Sequence, residues 1–218
     1  MQPLPQKILP KVLLDFGGVL GFFDHMISCR LLAPHSQVTD SEEFFKLLFG
    51  EEHKQFERGR ISPRNFHKAI AKKTGLTLPF EEFATIYAHV FSPIPGIEEI
   101  VAQVPEDLRF ILSNTDPLHW ERIRQLPVMD RCFGIPQQTI RSFDAGARKP
   151  EAGIFKKALQ QAGGDIGRII YFDDVPEYVN AWRELGGTAF LFNARVDSPE
   201  LLRVRLQQYG LVPVTQEA

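Results

Sequence analysis

Cysteine is nearly missing from this chain. Only Cys29 and Cys132 occur, with no Cys-x-x-Cys spacing, so neither a disulfide scaffold nor a zinc ribbon is indicated. No apolar run approaches the roughly 18 residues of a membrane-spanning helix. A basic excess is lacking as well: 25 Lys and Arg stand against 27 Asp and Glu, a formal charge of −2. That balance points away from nucleic acid and anionic membranes as partners. Met1 to Pro10 carries three prolines and no long apolar stretch, so no signal peptide is expected. Internal repeats and low-complexity segments are absent too. Together these absences predict a soluble cytoplasmic protein.

What is present is apolar mass. Apolar residues make up 44% of 218, enough for a real core and too many for a disordered chain. A chain this long holds one large domain, or one domain with a sizeable insertion. Near its start, Lys11 to Gly21 reads Lys-Val-Leu-Leu-Asp-Phe-Gly-Gly-Val-Leu-Gly. Val12 to Leu14 fits a buried parallel strand. It delivers Asp15 to the carboxyl end, where ligands collect in open α/β sheets. Gly17 and Gly18 permit a sharp turn and a close backbone approach. Taken alone, the stretch reads equally well as an aspartate in an ordinary turn.

From Asp24 to Phe91 the pattern is helical, with no convincing strand. Phe44, Phe45, Leu48 and Phe49 share one helix face, behind Asp40 and Glu43 at capping-box spacing. Ser62-Pro63 opens a helix and Gly75 closes it. Phe83, Ile86, Tyr87, Val90 and Phe91 follow an amphipathic period. Eight of the 18 phenylalanines lie between Ser41 and Ser92, so this stretch is expected to pack its aromatics into a small core of its own. Pro93, Pro95 and Gly96 mark its exit.

Beyond the exit, helices are predicted over 97–104, 117–126, 151–162, 176–185 and 199–209. Strands are predicted over 110–112, around 133–140, and over 169–172 and 188–192. Strands alternating with helices of about ten residues imply parallel β-α-β units. The fold class is therefore α/β, a Rossmann-like parallel sheet with helices on both faces, plus an inserted all-helical cap. The expected layout is 1–21 and 96–218 for the sheet domain and 22–95 for the insertion.

Three apolar strands end in polar residues: Asp15, then Ser113-Asn114, then Asp173-Asp174. Parallel strands present these at one sheet edge, and Lys149, just before a predicted helix, is a fourth candidate there. Singly, each has another reading as a helix cap or a solvated charge. Together they are three carboxylates, a hydroxyl and a cation in one crevice. Three neighbouring carboxylates ionise only with compensating positive charge. Magnesium, a hard cation held by carboxylates, waters and substrate phosphate, supplies it. An aspartate oxygen is then available to attack phosphorus, with Ser113 and Lys149 on the phosphoryl oxygens.

These segments resemble the four motifs of the haloacid-dehalogenase-like (HAD) hydrolase superfamily, which consists mostly of magnesium-dependent phosphatases. In order they are Asp15-Phe-Gly-Gly-Val-Leu, Leu112-Ser-Asn-Thr, Arg148-Lys-Pro-Glu and Tyr171-Phe-Asp-Asp-Val. The insertion resembles the helical cap of that superfamily. Phe56-Glu-Arg-Gly-Arg-Ile-Ser-Pro and Leu112-Ser-Asn-Thr-Asp-Pro-Leu-His-Trp resemble the branch with sugar-phosphate phosphatases and the phosphatase domain of soluble epoxide hydrolases. The resemblance implies Asp15 as nucleophile and metal ligand, with the Gly17 carbonyl as a second ligand. It implies Asp174 as a direct magnesium ligand and Asp173 as a direct or water-mediated one. Ser113 and Lys149 are implied catalytic and phosphate-binding residues, with Asn114 as their neighbour.

One position departs from the pattern. The superfamily's phosphatases usually carry an acid-base aspartate two residues after the nucleophile, and here that place is Gly17. General acid-base catalysis is worth about 10² to 10⁴ in rate, so esters with poor leaving groups are expected to turn over slowly. Aryl and acyl phosphates are expected to suffer less, and Gly17→Asp to raise turnover. Asp24 and His25 are candidates to replace the acid. Three readings follow: a phosphatase on a small phosphorylated metabolite, an impaired phosphate-binding or regulatory protein, and a 2-haloacid dehalogenase-type hydrolase. Paired carboxylates argue against the third, whose reaction needs no metal. His25, His53, Arg58 and Arg60 are candidates to select the substrate, and His119 and Trp120 to line the crevice.

Overall fold

The computed structural model describes residues 8–214. Most of the N-terminal stretch discussed above, 1–7, lies outside them. β1 (Lys11–Leu14) leads through a tight turn into β2 (Gly21–Phe23). Then follow α1 (His25–Leu32), α2 (Ser41–Leu48), α3 (Glu51–Glu57), α4 (Pro63–Thr74) and α5 (Phe80–Ala88), and β3 (Phe91–Pro93) brings the chain back. Next come α6 (Ile97–Val101), β4 (Arg109–Ser113), α7 (Pro117–Ile123), α8 (Pro127–Cys132) and β5 (Thr139–Arg141). The chain continues through α9 (Ser142–Ala145), α10 (Ala152–Gln161), β6 (Ile169–Asp173), α11 (Pro176–Glu184), β7 (Thr188–Leu191) and α12 (Pro199–Gln208).

Five strands form a parallel sheet in the order β5-β4-β1-β6-β7. Successive strand residues point to opposite faces. Val12 and Leu14 therefore join Ile111, Ile170 and Phe172 in a core closed by Ile100, Met129 and Leu206. Leu13 turns the other way, to Leu112 and Tyr171, beneath Phe155 of α10 and Trp182 of α11. Both faces are covered, and the strands read as unbroken apolar runs for that reason.

Helices α1 to α5 enclose a third core of Leu32, Phe44, Phe56, Phe66, Ile70, Phe83 and Tyr87. Their ends follow the sequence closely. The Asp40 carboxylate accepts from the Glu42 and Glu43 amides, Ser62 accepts from Asn65, and Gly75 closes α4 at φ 70°. The expectation of helices alone fails at the neck of this insertion. Phe91 does not extend α5, which stops at Ala88; it pairs with Phe23 across the antiparallel ribbon of β2 and β3. Helical spacing from Phe83 runs through Phe91 by coincidence, because periodicity does not mark where a helix unwinds.

Other differences trace to proline. The strand expected around 133–140 shrinks to β5, since Pro136 opens a helical turn over Pro136–Gln138 and has no N–H for a ladder. Pro127 starts α8, a helix the sequence reading passed over. Free Cys29 and Cys132 are both buried. Among the described residues, no helix is long and apolar enough to cross a membrane.

The insertion docks on the sheet domain through the turn after α3. Glu57 Oε2 lies 2.6 Å from Arg148 Nε, and Arg58 Nε donates to Glu151 Oε1 at 3.0 Å. Gly59 sits at φ 68°, and a Cβ there would overlap the Phe143 carbonyl oxygen. Gly146 has φ 70° and open space around the same position. Gly146→Ala should cost about 1–2 kcal/mol of left-handed strain alone. Gly59→Ala should cost more, by an additional 1 kcal/mol or so, because the docked carbonyl must also shift. Urea denaturation of the two variants measures the difference, and equal losses would refute the docking contact.

Candidate active site

Parallel pairing places the strand ends together. Leu14 stands opposite Ile111 of β4 and Phe172 of β6, so Asp15, Ser113 and Asp173 emerge at one edge. Asp15, Gly17, Ser113, Asn114, Lys149 and Asp174 all line one cavity of about 280 Å³. Asp173 lies beneath it, 0% exposed. The cis peptide between Lys149 and Pro150 precedes α10.

Lys149 joins these groups. Its buried ammonium lies 2.8 Å from Asp15 Oδ1, and it donates to Asp173 Oδ2 at 2.6 Å and to the Leu112 carbonyl at 3.0 Å. All three of its donors therefore have protein partners. Asp15 Oδ1 also accepts from the Phe16 amide at 2.7 Å, and no donor among the described residues reaches Oδ2. Asp173 is fully engaged: the Tyr171 hydroxyl donates to Oδ2, and the Val175 amide donates to Oδ1 at 2.9 Å. The Asp174 carboxylate, by contrast, has no side-chain donor among the described residues. It fits beside the turn only because residue 18 is glycine, where a Cβ would overlap its Oδ2. Ser113 is 3% exposed and its hydroxyl has only a marginal contact, 3.5 Å to the Asn114 carbonyl. Asn114 lines the cavity, but its amide is occupied. Oδ1 accepts from the Lys149 amide at 2.7 Å, and Nδ2 donates to the Lys149 carbonyl at 3.1 Å.

Three carboxylates against one ammonium leave two negative charges uncompensated. Burial raises Asp15 most, with Asp173 and Asp174 adding to it, and Lys149 only partly offsets them; the carboxyl is pushed up to about 8. Burial and then Asp173 push Asp174 up to about 6. Burial works against the Lys149 charge, but Asp15 and Asp173 outweigh it and hold the ammonium above the ordinary lysine range. Carboxylate oxygens of Asp15, Asp173 and Asp174 lie within 4.8 Å of one another. An all-oxygen donor set with a deficit of two charges fits a hard divalent cation such as magnesium.

The opposite wall is aromatic. Phe23, Phe45, Phe49, Phe91, Ile123, His25, His53 and His119 line it. Phe45 and Phe49, expected in the core of the insertion, face this cavity, while Phe44 and Leu48 are fully buried. A Cβ at Gly17 would come within 2.8 Å of Phe23 Cε1. A side chain at position 17 therefore needs the Phe23 ring to shift, and the gain expected of Gly17→Asp depends on that movement. Asp24 caps α1 by accepting from the Met26 amide and is not among the cavity residues. Of the other candidates, His25, His53 and His119 line the cavity. Arg58 instead pairs with Glu151, Arg60 with Gln55, and Trp120 lies under Arg141.

Four groups at this site went unassigned in the sequence: Phe23, Glu57, Asp116 and Tyr171. Two had a legible signal. Asp116 precedes Pro117 as a helix N-cap should. Tyr171 stands two residues before Asp173, on the same strand face.

No family model matches the sequence. Solved structures do resemble it. A HAD family enzyme of Bacteroides thetaiotaomicron, in complex with magnesium and inorganic phosphate, aligns over 89% of this chain and 100% of its own at 22% identity and TM-score 0.75. A HAD phosphatase of Thermococcus onnurineus aligns over 94% and 100% at 19% identity and TM-score 0.69. An L-2-haloacid dehalogenase of Xanthobacter autotrophicus aligns over 94% and 85% at 17% identity and TM-score 0.59. At these identities the likeness establishes the fold, which is the HAD-like one expected from the motifs.

The charge deficit carries a pH signature in chelator. The folded chain holds a proton on Asp15 that the unfolded chain releases. The stability this contributes is fully present below 3.8 and is lost as pH rises through about 8. Asp15→Asn should flatten that decline in urea denaturation at stepped pH. An identical slope in the variant would count against the buried, undercompensated carboxyl.

Proposed function

We propose that this chain is a magnesium-dependent phosphoester hydrolase that acts on a small phosphorylated molecule through a phosphorylated Asp15. The observation that carries the reading is the pairing of a half-free Asp15 with a donorless Asp174. Asp15 Oδ1 is anchored by Lys149 and the Phe16 amide, leaving Oδ2 as the reactive oxygen. The oxygen-rich cluster fits a magnesium ion held by Asp15, Asp174 and the Gly17 carbonyl. Bound there, magnesium screens the repulsion between an anionic carboxylate and an anionic phosphate. Asp173, occupied by Lys149, Tyr171 and Val175, acts by positioning.

Asp15 Oδ2 attacks phosphorus as the bond to the leaving oxygen breaks, and water then cleaves the acyl phosphate to return the carboxylate. The Ser113 hydroxyl is free to donate to a phosphoryl oxygen, and the Lys149 charge stays beside the attacked group throughout. Asn114 holds the Lys149 backbone in place. The aromatic wall suits a flat, apolar leaving group such as a phenol. A phenolate departs without a proton, which agrees with Phe23 occupying the place of an acid. The magnesium and phosphate named for the Bacteroides protein support the same chemistry.

A second reading is kept by one observation: the ring against Gly17 also suits a protein that binds phosphate without turnover. A dehalogenase reading is weaker, since nothing in that chemistry balances two surplus negative charges.

Phosphate release from an aryl phosphate should require magnesium and vanish in Asp15→Asn. Gly17→Asp alone should gain little. Combined with Phe23→Ala it should gain up to about 10²-fold on alkyl phosphates. If every phosphoester on a broad panel stays intact with wild type while magnesium-dependent phosphate binding is measurable, the binding reading prevails.

A further inference from the structure

A second cluster lies on the far side of the cavity, away from the carboxylates. His53 on α3 belongs to the insertion, while Asp116 and His119 sit at the start of α7 in the sheet domain. Their exposures are 7%, 0% and 4%. His119 Nδ1 is 2.7 Å and His53 Nε2 is 3.9 Å from Asp116 Oδ2. One ligand atom from each residue lies within 4.8 Å of the others. His53 Nε2 is buried and has no hydrogen-bond partner, an arrangement that is costly unless something fills the gap.

The outward nitrogens are arranged as a metal site requires. Metal-ligating imidazoles give their other N–H to a carbonyl or carboxylate, which fixes the tautomer and frees the inner lone pair. His119 Nε2 lies 3.3 Å from the Tyr87 carbonyl. His53 Nδ1 faces Glu57 Oε2 at 3.6 Å, an ion-pair distance longer than a hydrogen bond. The ligand carboxylate has an outer partner too, since the Tyr87 hydroxyl donates to Asp116 Oδ2 at 2.8 Å. His25, whose Nδ1 is also without a partner, stacks on His119 with centroids 5.3 Å apart and faces the same space.

We infer that His53, Asp116 and His119 form a transition-metal site that pins the helical insertion to the sheet domain across the cavity. Two imidazoles and one carboxylate select zinc, cobalt or nickel over magnesium. This inference stands apart from the phosphatase reading, because it involves none of Asp15, Lys149 or Asp174.

Cobalt titration of the full chain, with magnesium in excess to fill the oxygen cluster, tests it. One equivalent of cobalt should bind with the visible absorption of nitrogen- and oxygen-ligated cobalt. Affinity should fall at least about tenfold in His53→Gln and in His119→Gln, and should be unchanged in Asp15→Asn. His53→Gln also takes a ring away from Phe49 and Phe66, so its metal-free melting temperature is measured first, as the check that it folds. Should either variant fail to fold, imidazole NMR of wild type decides instead: zinc must shift the His53 and His119 resonances. Absence of cobalt binding under excess magnesium, undiminished binding in both folded histidine variants, loss of binding in Asp15→Asn, or unmoved imidazole resonances would each overturn the site.

Discussion

One buried ammonium organises the sheet edge. Lys149 is 1% exposed and touches two carboxylates and a strand carbonyl. Taking such charges out of water costs several kcal/mol each unless partners are well placed, and here the partners come from three strands. β1 provides Asp15, β4 provides the Leu112 carbonyl and β6 provides Asp173. The order β4-β1-β6 puts all three within reach of one side chain. The lysine itself arrives from a loop, where position is not fixed by a ladder, and Asn114 fixes it by bonding both the amide and the carbonyl of Lys149. Asp15 keeps one oxygen free because its other oxygen is held this way.

The same loop also anchors the insertion. Arg148 and Glu151 flank Lys149 and Pro150, and they take Glu57 and Arg58 from the end of α3. Two motifs far apart in the chain are thus one contact. The aromatic wall belongs to the same insertion, since Phe45, Phe49 and His53 lie on α2, its C-terminal turn and α3. The contacts that dock the insertion and the lysine that pairs with Asp15 thus sit on neighbouring residues.

Much of this was legible in sequence, and the reasons differ by element. The central strands were plain because burial on both faces leaves no polar residue between Val12 and Leu14 or between Phe110 and Leu112. Asp15, Ser113, Asn114, Asp173 and Asp174 stood out because each follows such a run, whereas Lys149 follows none and was placed at the same edge by the helix after it. Helix caps at Asp40, Ser62 and Gly75 are local chemistry and carried through. What sequence hid was anything decided across distance. Phe91 fits a helix face and a ribbon equally, and only its pairing with Phe23 settles it. Phe45 and Phe49 differ from Phe44 and Leu48 by which side of α2 meets the other domain. Asp24 was next to the site in sequence, yet α1 turns it outward as a cap.

Position 17 gathers these strands of argument. Read in sequence, glycine there is a loss, an acid deleted from an otherwise complete motif. In the folded chain it is also a fit, because Phe23 rests where the acid's side chain would be. The ring comes from β2, whose place is set by pairing with β3, so the neck of the insertion shapes the surroundings of Asp15. A glycine left by simple decay would leave open, wet space beside Asp15. An apolar ring in that space adds to the burial that raises the Asp15 carboxyl, which Lys149 only partly offsets. Gly17 and the aromatic wall are therefore one feature of the cavity, since the ring that rests against the glycine belongs to that wall.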